Sequence, residues 1–88
     1  MITKSQVNAI AATIETMGVA ETTVSALRQH YQPIHFTYCM DDDLPNNTPI
    51  IEHKDFNLYL IDGREHCLCL TNDYDVATGI VVAEIIAD

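Results

Sequence analysis

The hydrophobic repeat of this chain changes period once, at Pro33, and that change limits what the chain can fold into. Before it, apolar residues recur every three to four positions: Val7, Ile10, Ala11, Ile14 and Met17, then Val24, Leu27 and Tyr31. That spacing lines them along one side of a helix. After it, Ile34, Phe36, Tyr38 and Met40 alternate with His35, Thr37 and Cys39. This is the period of a strand, whose successive side chains face opposite ways. Amphipathic helices followed by half-buried strands predict a two-layer α+β domain.

Local signals set the boundaries. Thr3 and Gln6 fit a capping box, with Ile2 and Val7 as a hydrophobic staple across it. Gly18 supplies a left-handed residue to end the first helix, and Val19 is placed to pack on Ile14. A second helix begins near Glu21 to Thr23 and stops before Pro33, because the residue preceding a proline avoids the helical region. The short turn between them makes a helical hairpin. Residues 41–49 read as a loop, 50–53 as a short edge strand and 56–61 as a strand. Asp62-Gly63-Arg64-Glu65 carries turn chemistry, and residues 66–71 return antiparallel. Residues 79–86 are rich in β-branched side chains and read as a strand, although Ala77, Ala83 and Glu84 would also suit a buried helix.

The expectation is one domain over residues 1–88, with no repeat or linker. A helical hairpin (1–33) covers an antiparallel sheet of three to five strands (34–88). Phe36, Tyr38, Phe56, Leu58, Leu60, Leu68 and Leu70 are expected under the helices. Thr37, Cys39, Asn57, Tyr59, Ile61, Cys67, Cys69 and Thr71 are expected on a face left open. An open, partly apolar face marks an interface, and twofold pairing is the commonest way to cover one. A homodimer is therefore expected, with Thr37, Tyr59 and Ile61 in its interface.

Charge narrows the function. Thirteen acids face four Lys and Arg residues, a net charge of −9 with neutral histidines. Lys4 and Arg28 balance Glu15 and Glu21, so the whole excess lies beyond residue 40. Such a surface repels phosphate backbones and anionic lipid heads and attracts basic protein partners, although solubility alone can explain it. With 48% hydrophobic residues and a mean hydropathy of +0.05, the chain reads as a soluble globular domain. No apolar run approaches the roughly 18 residues that span a bilayer. Met1-Ile2-Thr3-Lys4 does not open a secretory signal, so a cytoplasmic location is expected.

The reactive side chains are few. Three cysteines, Cys39, Cys67 and Cys69, make an odd count that argues against an exported disulfide framework. Cys67 and Cys69 are two apart on a strand and point the same way. With Cys39 and His35 they would complete a tetrahedral metal set of three thiols and an imidazole. Against this, C-x-C is not the knuckle spacing of structural zinc, and free cysteine is otherwise a small hydrophobe. No other cofactor is expected. Asp41, Asp42 and Asp43 offer hard oxygen ligands without the spacing or distal Glu of an EF-hand loop. GxSxG, phosphate-cradling and HExxH patterns are absent; His30, His35, His53 and His66 could make an acid–base pair with a carboxylate in space, but no spacing singles one out. The expectation is a non-enzymatic interaction or accessory module.

Two resemblances bear on function. Met17-Gly18-Val19-Ala20-Glu21-Thr22-Thr23-Val24-Ser25 resembles the turn of a helix-turn-helix DNA reader over about twenty residues. The departures disfavour a DNA-associated regulator: Arg28 is the one cation on the would-be recognition helix, and only two helices precede the sheet. A second set comprises His35-Phe36-Thr37, the acids after Cys39, Asn57-Leu58-Tyr59-Leu60-Ile61-Asp62-Gly63-Arg64, His66-Cys67-Leu68 and Ala77-Thr78-Gly79. These resemble a small uncharacterised bacterial family of this length, associated with nitrogen-fixation gene neighbourhoods. The resemblance implies a cytoplasmic accessory protein with no assigned activity. In that setting, iron–sulfur maturation would give the three cysteines a role.

Overall fold

A computed structural model describes residues 2–44, 46–63 and 69–86. Helix α1 (Lys4–Met17) and helix α2 (Glu21–His30) precede strand β1 (His35–Met40) and a single 3-10 turn (Asp41–Asp43). Strands β2 (Ile51–Glu52), β3 (Phe56–Asp62), β4 (Cys69–Thr71) and β5 (Gly79–Glu84) follow. The α+β class is as expected. Among the described residues, no helix is long and apolar enough to cross a membrane.

The helix ends form as their residues dictate. Thr3 Oγ1 accepts from the Gln6 amide at 3.1 Å, and Gln6 Oε1 accepts from the Thr3 amide at 3.0 Å, which satisfies two otherwise orphaned donors. Gly18 stops α1 at φ +92°, ψ 159°. Its φ is positive as expected, and its ψ lies in a region open essentially to glycine alone. Thr23 Oγ1 donates to Gly18 O at 2.8 Å, tying the second helix to the end of the first.

The strand order is β1-β5-β3-β2, with β4 also paired to β3. β5 runs antiparallel to β3 and parallel to β1, so the sheet is mixed rather than wholly antiparallel. The cause is insertion: the last strand enters between β1 and β3 and can oppose only one of them. β5 is buried along its length up to Glu84, and this two-sided burial explains its unbroken apolar run. Gly79 faces His35 across the pair, and an added Cβ would lie 2.8 Å from His35 O. The close approach therefore needs a glycine.

The larger core lies between helices and sheet. Val7, Ile10, Ile14, Val24 and Leu27 meet Phe36, Phe56, Leu58, Leu60, Ile80 and Val82. The other face carries a smaller buried cluster of Tyr59, Ile61, Val81 and Ala83, with Cys39, Leu44 and Leu70 packed against it. That face is thus covered over β3 and β5, where it was expected to lie open, while Thr37 on β1 stays exposed. One strand also sits in the opposite sense to expectation. Leu70 pairs with Ile61, and Cys69 with Asp62, so Leu70 joins the second face while Cys69 and Thr71 take the helix-side parity. Register decides the face, and a shift of one residue exchanges the two faces. Leu68 and Cys67 lie outside the described residues.

Candidate functional site

Asp41, the first residue after β1, turns its carboxylate back onto the second face. Its Oδ1 accepts from Asn57 Nδ2 and from the Tyr59 hydroxyl, each at 2.9 Å. Burial, then the bond to Asp41, pushes the Tyr59 phenol above its ordinary value. Burial raises the Cys39 thiol as well, and Asp43 and Asp41 raise it further. The thiolate is the nucleophile and the metal ligand, so this setting disfavours the reactive form of Cys39. Asp41 is a structural clamp, while Asp42 and Asp43 are exposed.

The described members of the expected metal set, Cys39, Cys69 and His35, do not come together. Cys39 pairs with Ala83, which pairs with Asn57, while Cys69 pairs with Asp62. The two sulfur-bearing residues therefore occupy opposite faces. Their register positions are separated along β3 by roughly 17 Å, at about 3.4 Å per residue. His35 shares a face with Cys39 from the far end of β1. Cys67 and His66 lie outside the described residues. Among the described residues, no group of three His, Cys, Asp or Glu side chains could hold a metal.

The expected interface residues also separate. Thr37 is exposed, but Tyr59 and Ile61 are only 3% and 6% exposed within a single chain. Neither can form part of an open patch.

What the fold does assemble is a contrast between its two ends. At the end where β1 and β5 finish and β3 begins, Glu15, Asp55, Glu84 and His53 line a small depression of about 210 Å³. His53 stacks on Phe56, with ring centroids 4.4 Å apart, and its Nε2 stands 3.6 Å from Glu15 Oε2. Glu84 accepts from the Tyr38 hydroxyl, a bond that, with burial, raises the Tyr38 phenol. Asp41, Asp42 and Asp43 follow β1 at this end, and Lys54 is the Lys or Arg nearest in sequence.

At the opposite end a cleft of about 780 Å³ opens beside Arg28, His35, Thr37, Phe36, Ile61 and Thr78. No carboxylate is among its described lining residues. Arg28 Nε donates to Phe36 O at 3.2 Å, and its Nη1 lies 3.9 Å from Glu21 at an exposed site. An adjoining depression holds His30 and His35. The described side chains that bring polar groups to this lining are Arg28, Gln32, His35, Thr37 and Thr78. Lys4, Arg28 and Lys54 sit on α1, on α2 and between β2 and β3.

Sequence reasoning missed this grouping. Glu15, Asp55 and Glu84 come from three distant segments, and no local spacing links them. Only Asp41, Asp42 and Asp43 announce themselves as a run.

No curated protein and no solved structure matches the chain. A family model does match, over residues 9–85. The chain belongs to that family, DUF6129, a family of unknown function.

Proposed function

We propose that the chain is a non-enzymatic, cytoplasmic accessory module that docks a basic segment of a protein partner on its acidic end. The observation that carries the reading is the gathering of Glu15, Asp55 and Glu84 around one depression, with Asp42 and Asp43 exposed nearby. A surface with an excess of one sign of charge steers oppositely charged partners and speeds their encounter. The test is an NMR titration of the whole chain with a twelve-residue Lys/Arg-rich synthetic peptide. Saturable shifts confined to residues 41–43, 52–56 and 84–86, and weakened by D55N/E84Q, are expected. Shifts spread evenly over the surface, or unchanged in that variant, would overturn the reading.

A place in nitrogen fixation is the narrower part of the proposal and rests on the family resemblance. A deletion strain that grows as well as its parent on dinitrogen would remove it.

A further inference from the structure

β1 lies at one end of the sheet order, and among the described residues one of its two backbone edges has no strand beside it. His35 N–H donates to Thr78 O at 3.2 Å, which sets the parity of the ladder. His35, Thr37 and Cys39 turn their backbone groups toward β5. Phe36, Tyr38 and Met40 turn theirs outward. Phe36 O is met by Arg28 Nε; the amide and carbonyl of Tyr38 find no backbone partner among the described residues. Edge strands are commonly blunted with Lys, Pro or a bulge. His-Phe-Thr-Tyr-Cys-Met carries no Lys, Arg, Asp, Glu or Pro.

The charges flanking this strand differ in sign. Arg28 and His35 stand at its start, and Asp41, Asp42 and Asp43 follow its end. Antiparallel pairing of two copies sets each basic end beside the other copy's acidic end, whereas parallel pairing would stack like charges. A twofold contact of this kind is self-complementary.

We propose that β1 pairs antiparallel, edge to edge, with β1 of a second copy of this chain. Outward-bonding residues must face one another. A centre at Tyr38 opposite Tyr38 therefore places Phe36 opposite Met40, His35 opposite Asp41 and Thr37 opposite Cys39. The Thr37–Cys39 pair falls at a non-hydrogen-bonded position, where Cα atoms approach to about 4.5 Å. It lies on the face away from the helices. The contact uses the strand edge, not the sheet face expected from the alternation. It shares with acidic-end docking only the Asp41–Asp43 turn, and the Glu15, Asp55 and Glu84 depression takes no part in it.

The test begins with light scattering and sedimentation of the full chain, where a dimer that weakens as salt rises is expected. Thr37 is exposed, so T37E should fold normally while setting a carboxylate diagonal to the other copy's Asp41. Its dimer Kd is expected to rise at least about tenfold. Y38P removes an outward amide and leaves the bonds to β5 intact; it should be monomeric. If Y38P fails to fold, T37C decides instead. Under mild oxidation it should link position 37 to Cys39 of the other copy, as mapped by mass spectrometry on reduced and unreduced peptides. A monomer at the highest concentration, a T37E dimer of unchanged Kd, or a T37C link confined to Cys67 or Cys69 would overturn the proposal. Monomeric T37E that still binds the basic peptide would separate this contact from acidic-end docking.

Discussion

The two faces of the sheet are closed by different means. Under the helices, Leu58, Leu60, Ile80 and Val82 are completely buried against two amphipathic helices. On the other face, Tyr59, Ile61, Val81 and Ala83 are buried with Leu44 from the connection after β1 and Leu70 of β4 packed against them, with Asp41 bonded to Asn57 and Tyr59 beside them. The first face is held by apolar area. The second adds to a small apolar cluster a polar clamp that fixes where the connection lies. Closing a sheet therefore does not require another regular layer when side chains supply the hydrogen bonds.

Substitutions can break this contrast. The largest loss is expected on the helical side, where L58A should cost about 2–5 kcal/mol in urea unfolding because the site cannot collapse around the void. G79A should follow at about 1–3 kcal/mol, since its Cβ would press on the His35 carbonyl. D41A should cost about 1–3 kcal/mol by leaving the Tyr59 and Asn57 donors without their acceptor. V81A, on the other face, should lose about 1–2 kcal/mol. If V81A proves as damaging as L58A, the two faces are not energetically distinct.

Smaller effects sharpen the picture of the clamp. Both raised phenols titrate later in the fold than in the unfolded chain, so the unfolded chain releases their protons first as pH climbs. Stability from this source is intact below the ordinary phenol value of 10.0 and falls as pH rises through the folded values. Y59F should reduce that fall in pH-dependent unfolding. Cys39 should react more slowly with iodoacetamide at pH 8 than an unhindered thiol, and D43N should quicken it by lifting one of the charges that disfavour the thiolate.

Much of the fold was legible because its signals are local. The Thr3–Gln6 capping box, the stop at Gly18 and the β-branched run in β5 each follow from contacts within a few residues. The candidate site was not legible, because its parts meet only through the sheet. Alternation correctly paired Cys39 with the Tyr59 side of the sheet, yet the Leu70 and Cys69 faces came out exchanged. Register can shift by one residue without altering the strand pattern. The Asp41 clamp was invisible for a similar reason: a run of three acids looks alike whether its first member is solvated or folded back.

By itself, the sequence determined the helical hairpin, the strands, the α+β class and the sign of the surface charge. Each depends on residue type and spacing along the chain. Tertiary structure alone decided that β5 enters beside β1, that Cys39 and Cys69 lie on opposite faces, and that Glu15 meets Asp55 and Glu84. Those outcomes depend on strand order and register, which are settled by how the whole chain buries its apolar surface at once.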